Sequence, residues 1–174
     1  MAIVVAYDPD WPALFEAERE SVVAALGDLV RTVEHIGSTS VPGMAAKPVI
    51  DMMAGVADLG VAERAEPVLA ARGYRWIPHR VDAVLFNRFD GDAQTHALHL
   101  TVPGNDLWRE RLAFRDALRA DPALIAEYAE LKQQLLAGAD GQAYSARGKR
   151  AFVRRVLADA GIDLKDGMYA TPGS

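Results

Sequence analysis

The sequence predicts an α+β fold, in which a small mixed β-sheet is flanked by helices and followed by a C-terminal helical bundle. Between residues 29 and 102, short apolar and β-branched runs are separated by Gly, Pro and Asp, as strands are separated by turns. From Asn105 onward, apolar residues recur at helical spacing instead. We therefore expect an α/β core over 1–104, helices packed on that core over 105–160, and a tail over 161–174.

Each element follows from its own local pattern. A first helix is predicted over 10–26, where Pro12 stands in the first turn and Gly27 follows the last apolar residue. A second helix over 60–73 contains Pro67, which predicts a helix start or a kink at that point. Strands are predicted at 2–6, 29–36, 47–56, 74–78, 83–89 and 95–102. Three helices then follow, one from Asn105, one over 121–138 with an Asp-Pro start, and one over 143–161.

Composition excludes several kinds of site. The 174-residue chain has no Cys, which excludes disulfides, thiolate zinc sites and a Cys nucleophile, and which fits a cytoplasmic protein. No apolar run approaches the about 18 residues of a membrane-spanning helix, and the N-terminal residues lack the pattern of a signal peptide. The net charge of −5 argues against general nucleic-acid binding.

The charge is unevenly distributed along the chain. Residues 1–104 contain 8 Lys and Arg against 14 Asp and Glu, whereas residues 105–165 contain 11 against 9. A mildly basic C-terminal third suits a small anionic ligand, and it equally suits a solvated helical surface. Composition alone leaves both alternatives open.

A Gly-Ser loop followed by one carboxylate in an apolar run is the most informative local pattern, HIGSTSVPGMAAKPVIDM over residues 35–52. Small residues and hydroxyls at 37–43 suit a loop whose backbone N–H groups hold an anion. Gly43 is followed by Met44, so the loop lacks the Gly-Lys ending of the P-loop. Asp51 needs a partner or a metal if it is ionised inside a strand. The alternative is an ordinary turn, with Asp51 bonded to backbone N–H groups.

This segment resembles the signature of the nucleotidyltransferase fold superfamily, in which Gly-Ser precedes an Asp in an apolar strand. Within that superfamily, VEHIGSTSVPGMAAKPVIDM is similar to the GrpB family. The segments YDPDWPALFEAE, THALHL, WRERLAFRDALRADPALIAEYAELK and YSARGKRAFV are similar to the same family. The resemblance runs from about Tyr7 to Val156, which is nearly the whole chain.

The resemblance implies a metal-dependent transfer of a nucleoside monophosphate from a nucleoside triphosphate, by default ATP, to a small-molecule acceptor. Superfamily members hold Mg²⁺ or Mn²⁺ with carboxylates spaced Asp-x-Asp/Glu and a third on a later strand. The resemblance implies that Asp51 is a metal ligand and catalytic residue. The residues expected to bind the nucleotide are Gly37, Ser38, Thr39, Lys47, Arg88, Arg115 and Lys149. GrpB domains also occur fused to dephospho-CoA kinase, which implies nucleotide-related work.

The sequence departs from this pattern at two positions. Met53 stands where the second carboxylate would be, and a thioether is a poor Mg²⁺ ligand. The GrpB pattern reads His-Leu-His where this chain has Ala97-Leu98-His99. His99 remains a candidate metal ligand, phosphate ligand or catalytic base. His96 alternates with apolar residues and is expected to be a hydrogen-bonded core residue.

Three functions stay open from sequence. The first is nucleotidyl transfer, the second a non-catalytic module that binds a nucleotide or phosphometabolite, and the third an interaction protein that keeps only the fold. Met53 and Ala97 favour the second over the first. Joint retention of Gly37-Ser38, Asp51, His99 and Lys149 disfavours the third.

Overall fold

The fold is taken from a computed structural model that describes residues 4–137 and 146–163. Within these ranges the regular elements are α1 Trp11–Leu26, β1 Thr32–Ile36, β2 Ile50–Gly55, α2 Val61–Ala70, β3 Tyr74–Arg80, β4 Ala83–Asp90, β5 Ala93–Thr101, α3 Asp106–Ala120, α4 Pro122–Ala137 and α5 Ala146–Asp159. Short 3₁₀ turns occupy Gly27–Leu29 and Ser38–Ser40. No helix among the described residues is long and apolar enough to cross a membrane.

The five strands form one mixed sheet in the order β1-β2-β5-β4-β3. β2 and β5 are parallel, and the other neighbours are antiparallel. The β1–β2 register places Ile36 opposite Asp51. The next residue, Gly37, begins the 3₁₀ turn at residues 37–40, which we call the Gly-Ser turn. The β2–β5 register places Asp51 beside Ala97 and Met53 beside His99. These pairings confirm the predicted mixed sheet.

Helices cover the sheet on both faces. One face carries Met52, Ala54, Leu98 and Leu100, which pack into the main core against α1 and α2. On the other face, Met53 packs with residues of β1, β4 and α3 in a smaller cluster. This two-sided burial explains why β2 reads as a nearly continuous apolar run.

The C-terminal helices pack around a group of aromatic rings. Tyr128 of α4 stacks on Phe152 of α5 with ring centroids 4.9 Å apart, and Phe114 of α3 meets Tyr128 edge-on at 5.4 Å. Val41 and Met44, which follow the Gly-Ser turn, are fully buried in the same cluster. The helices therefore hold the loop that leads from β1 to β2. The boundaries near 104 and 160 stay predictions.

The termini of several elements differ from the sequence prediction. The strand predicted over 2–6 is, where described, a single bridge between Val5 and Ala46. β2 begins at Ile50 rather than at residue 47, because Pro48 has no N–H to donate and the Lys47 carbonyl accepts from the Val49 amide. Pro67 lies within α2 and does not end it. Because Pro67 has no N–H group, the carbonyl of Glu63, four residues earlier, lacks its helical hydrogen bond. Both residues are exposed, so this carbonyl lies on the solvent side of the helix.

Candidate functional site

Asp51 and the Gly-Ser turn form the centre of the candidate site. Gly37 adopts φ +72° and ψ −175°, a conformation that side-chain-bearing residues rarely adopt. The Asp51 carboxylate occupies the space that a side chain at position 37 would need. The turn and the carboxylate are thus in direct contact.

The 3₁₀ turn uses part of its own hydrogen-bonding capacity. The amide of Ser40 donates to the Gly37 carbonyl at 3.2 Å, and the Ser40 hydroxyl donates to the same oxygen at 2.6 Å. The amide of Ser40 is therefore committed to the turn. The amides of Ser38 and Thr39 precede its first internal bond, so the turn offers them no acceptor.

A buried hydrogen-bond chain fixes the turn to β2. The Thr39 hydroxyl donates to the Val49 carbonyl at 3.0 Å, so it must accept the proton of the His35 Nε2–H group, 3.1 Å away. The His35 ring stacks on Phe15 with centroids 4.5 Å apart. Burial, followed by the nearby Arg119 and Arg115, lowers the pKa of His35 to about 4. His35 is therefore neutral near pH 7 and holds the turn in place.

A cavity of about 190 Å³ opens beside the turn. It is lined by Ser38, Thr39, Lys47, Val49, Asp51, Gln94, Lys132 and Lys149. The described lining residues therefore combine three lysines with a single carboxylate and two hydroxyls. A larger hollow of about 520 Å³ lies between α4 and α5, and its lining shares no residue with the Gly-Ser motif. We refer to the first as the lysine cavity.

Lys132 is the most buried of the three lysines, with 2% of its surface exposed. Its Nζ atom donates to the Ala45 carbonyl and lies 3.5 Å from the Ser38 hydroxyl. Burial, and then the charge of Lys149, lower the pKa of Lys132 to about 8. Lys132 therefore carries its charge near pH 7 and presents it at the Gly-Ser turn.

The surroundings of Asp51 are cationic. Burial raises the pKa of Asp51 to about 6, against the opposing effects of Arg111, Lys149 and Lys47. Burial also lowers the pKa of Lys149, as does Arg111, whereas Asp51 raises it. Asp51 therefore serves as the counter-charge of a basic site.

The structure brings most of the predicted site residues together. Ser38, Thr39, Lys47, Asp51 and Lys149 line the lysine cavity, and Gly37 lies against Asp51. They come from the loop before β2, from β2 itself and from α5. The pairing of β1 with β2 explains the first group, whereas the approach of α5 is a tertiary contact.

Arg88 lies on the opposite face of the sheet, contrary to its predicted place at the nucleotide. It pairs with His96 in the β4–β5 register, and residue 96 faces the side of Leu98 and Leu100. Its guanidinium donates to Glu18 of α1 at 2.9 Å and bonds to the His96 ring. Arg88 is therefore part of the contact between the sheet and α1, and His96 is the hydrogen-bonded residue that the sequence predicted.

Arg115 and His99 also lie away from the cavity lining. Arg115 donates to the Glu34 carboxylate at 2.9 Å and to the His35 carbonyl at 3.1 Å, which ties α3 to β1. His99 lies on the same face of the sheet as Asp51, but it pairs with Met53, two residues further along β2. It is buried, with 6% of its surface exposed. The alternation of side chains along a strand indicates the face on which His99 lies, but not how deeply it is buried.

The sequence patterns single out neither Lys132 nor Gln94 as a site residue. Lys132 is one of several basic residues on the C-terminal helices. A detectable signal existed, because Leu124, Tyr128 and Lys132 recur at intervals of four and so share one face of α4. A lysine within an apolar stripe indicates a buried cation. Gln94, at the edge of β5, offered no comparable signal.

The described residues do not fit a two-metal centre. Mg²⁺ selects oxygen ligands, and Asp51 is the single carboxylate lining the lysine cavity. Met53 is fully buried among Ile36, Ala83 and Leu107, so the position of the second acid is packed hydrocarbon. Across the part of the chain that the structure describes, no three His, Asp or Glu side chains are grouped as metal ligands.

The fold defines the structural class of the protein. The mixed sheet with its flanking helices is nucleotidyltransferase-like, since the chain is similar to a cytoplasmic RNA terminal U-transferase with a TM-score of 0.55. The identity is 12%, and the match covers 76% of this chain and 43% of that one. At that identity the likeness describes the fold alone.

The chain belongs to the GrpB family, whose model, described as GrpB protein, matches residues 2–159. The crystal structure of GrpB from Enterococcus faecalis is similar, with a TM-score of 0.81, 31% identity, and coverage of 91% of this chain and 96% of that one. The Glutamate-rich protein GrpB of Alkalihalophilus pseudofirmus is 30% identical over 89% of this chain and 93% of its own length. The UPF0157 protein YqkA of Bacillus subtilis is 36% identical over 77% of this chain, which spans 39% of that longer protein.

Proposed function

We propose that the lysine cavity binds the phosphate groups of a nucleotide, with a nucleoside triphosphate such as ATP as the preferred ligand. The observation that carries this proposal is the convergence of Lys47, Lys132 and Lys149 on one cavity beside the Gly-Ser turn. Ammonium groups and hydroxyls are the partners that phosphate oxygens use in proteins. The side chains that bind the phosphates are those of Ser38 and the three lysines, since the Thr39 hydroxyl already donates to the Val49 carbonyl.

The dimensions of the cavity favour recognition of phosphates rather than of a base. Pockets that enclose a drug-sized ligand measure about 300–1,000 Å³, whereas the lysine cavity measures about 190 Å³. The sugar and base therefore extend out of the cavity. Among the described residues that line the cavity, Val49 alone is apolar, so these residues offer no stacking surface for a base. We expect ATP, CTP, GTP and UTP to bind with similar affinities.

Nucleotidyl transfer to a small-molecule acceptor is the second candidate. Two observations favour it, the nucleotidyltransferase-like fold and the place of Asp51 on β2 against the Gly-Ser turn. A fold neighbour, Cid1, has been solved in complex with the UTP analog UMPNPP, at a TM-score of 0.51 and 12% identity. A dephospho-CoA kinase of Mycolicibacterium paratuberculosis is 34% identical over 77% of this chain, which spans 39% of that protein. The nucleotide analog bound to Cid1 and the kinase activity in the name of the second protein support nucleotide binding, and therefore either candidate.

Thermal and chemical unfolding in the presence of each nucleotide tests the proposal. A ligand at about 100 times its Kd raises the free energy of unfolding by about 2.7 kcal/mol. We expect ATP, CTP, GTP and UTP to stabilise the full chain, and the Lys149→Gln variant to lose most of this gain. Arg155→Gln, which removes an exposed cation from the same helix, is the matched control. No stabilisation by any nucleotide would contradict the proposal.

Pyrophosphate release separates the two candidates. The full chain is incubated with ATP, Mg²⁺ and a pool of small-molecule acceptors, and pyrophosphate is measured over time. Release that Asp51→Asn abolishes supports nucleotidyl transfer. Binding of ATP without release supports a module that binds the nucleotide and leaves it intact.

A further inference from the structure

We propose that the lysine cavity neutralises its phosphate ligand with lysine ammonium groups and requires no divalent metal ion. This inference rests on the proposed function, because it concerns how the same cavity binds phosphate. It departs from the two-metal pattern that the fold implies. Three independent features of the site support it.

The first feature is the donor set. A divalent metal that bridges protein and phosphate needs carboxylate oxygens, and Asp51 alone provides them among the described residues that line the cavity. The next inward position on the same strand face is Met53, which packs against Ile36 and Leu107 and is fully buried. A second acidic ligand therefore has no place on β2.

The second feature is the origin of the cations. Lys47 comes from the segment before β2, Lys132 from α4 and Lys149 from α5, so three separate elements direct positive charge to one small volume. Like charges that converge in this way repel one another unless an anion lies between them. Within the part of the lining that the structure describes, Asp51 is the single acidic residue, so the three lysines leave an excess of two positive charges when all four groups are ionised. A phosphate group supplies the missing negative charge.

The third feature is the placement of Lys132. Its side chain is 2% exposed, and its Nζ atom is held by the Ala45 carbonyl and lies 4.9 Å from the centre of the Tyr128 ring. The same atom lies 3.5 Å from the Ser38 hydroxyl at the start of the turn. A buried ammonium group held in this way has a defined position, as a bound metal ion has. It can donate a hydrogen bond to a phosphate oxygen without first releasing a bound water, as a hydrated metal ion must.

Asp51 then has a different role from that of a metal ligand. In a site without metal, its carboxylate repels the phosphate and offsets part of the lysine charge when the cavity is empty. Replacing Asp51 by Asn should therefore tighten phosphate binding. In a site that depends on a metal at Asp51, the same substitution should weaken phosphate binding. The sign of the change separates the two arrangements.

Titration calorimetry on the full chain provides the test, with ATP and inorganic triphosphate as the probes. Each probe is titrated in a buffer with EDTA and again with excess Mg²⁺. We expect binding in EDTA that Mg²⁺ does not strengthen, and several-fold tighter binding by Asp51→Asn. Lys149→Gln and Lys132→Gln should weaken binding about ten- to a hundredfold, since each removes a charge-assisted hydrogen bond. Glu20→Gln, an exposed acid of α1, should bind like the unaltered chain.

The outcomes distinguish this inference from the proposed function. Binding that requires Mg²⁺ and disappears in Asp51→Asn would overturn the inference and leave the proposed function standing. Absence of binding under both conditions would overturn both. Because loss of a buried lysine can unfold the chain, each variant is first checked by circular dichroism. If Lys132→Gln is unfolded, Lys47→Gln replaces it in the titrations, because Lys47 is exposed and lines the same cavity.

Discussion

A Cβ atom placed on Gly37 would lie 2.4 Å from the Oδ2 atom of Asp51 and 2.9 Å from its Cβ atom. The first residue of the Gly-Ser turn and the carboxylate of β2 are therefore sterically dependent on each other. The β1–β2 register produces this contact, because Ile36 pairs with Asp51 and Gly37 follows directly. The spacing within the motif thus has a geometric cause, since the chain must leave β1, form the turn and return beside it.

Replacing Gly37 by Ala should destabilise the fold markedly. The backbone conformation of Gly37 costs a side-chain-bearing residue about 1–3 kcal/mol, and the clash with Asp51 adds to that cost. Gly43→Ala is the control, because Gly43 also has a positive φ of +79° and no atom within 4 Å of an added Cβ. Urea unfolding should show a clearly larger loss for Gly37→Ala. Equal losses would contradict the contact with Asp51.

The stability of the chain should depend on pH through Asp51. Burial raises the pKa of the folded-state carboxyl from 3.8 to about 6, so the folded state binds the extra proton more tightly than the unfolded state does. The contribution of Asp51 to the free energy of unfolding is therefore most favourable below about pH 4 and declines until about pH 6.

Asp51→Asn should remove this dependence. Relative to the unaltered chain, the variant should gain stability as pH rises from 4 to 6, by at most about 3 kcal/mol, with no further gain above pH 6. Denaturant unfolding at several pH values measures the difference. Glu20→Gln serves as the exposed control and should show a flat difference. If Asp51→Asn instead gained stability relative to the unaltered chain as the pH fell, the pKa of Asp51 would be lowered in the folded state and not raised.

Introducing the missing acid at position 53 should damage the fold rather than create a metal site. Met53→Asp places a carboxylate among Ile36, Ala83 and Leu107, where unpaired burial of charge costs several kcal/mol, roughly 3 or more. Met53→Leu conserves volume and should cost less than about 1.5 kcal/mol. Thermal unfolding with and without Mg²⁺ compares the two variants. A stable Met53→Asp variant with a strong Mg²⁺ response would contradict the packing described for this position.

Arg119 should act on the site by positioning the Gly-Ser turn. Its Nε and Nη2 atoms donate to the Ser40 carbonyl at 3.0 and 2.8 Å, from the last turn of α3. Arg119→Met should weaken ATP binding, while far-ultraviolet circular dichroism remains unchanged. Arg109→Met, which removes an exposed ion-pair partner from the same helix, is the matched control. If both variants bind ATP equally well, Arg119 has no role in positioning the turn.

The sequence predicted the elements well where the signals were local. The Asp-Pro start of α4 is an example, since the Asp121 carboxylate accepts from the Ala123 amide at 2.8 Å. Strand faces were also predicted, because alternation depends only on neighbouring residues. His96 therefore lies on the core side as expected. The start of β2 was predicted three residues too early, because the effect of Pro48 on the backbone outweighed the apolar pattern.

Contacts between distant residues were not predictable in the same way. Arg88 and Arg115 are basic residues that the sequence predicts at the nucleotide, yet Arg88 pairs with Glu18 and Arg115 with Glu34. Lys132 reaches Ser38 across a separation of 94 residues along the chain. Side-chain spacing gives no information on which helix face meets which loop.

The sequence by itself determined the mixed fold and the family, because both follow from local patterns that recur along nearly the whole chain. It also placed Asp51 in an apolar strand after the Gly-Ser loop. The tertiary structure decided which cations surround that carboxylate and placed Met53 in hydrocarbon. The physical reason is that the packing of α3, α4 and α5 against the loop and the sheet depends on the summed burial of many apolar side chains. No local spacing encodes that sum.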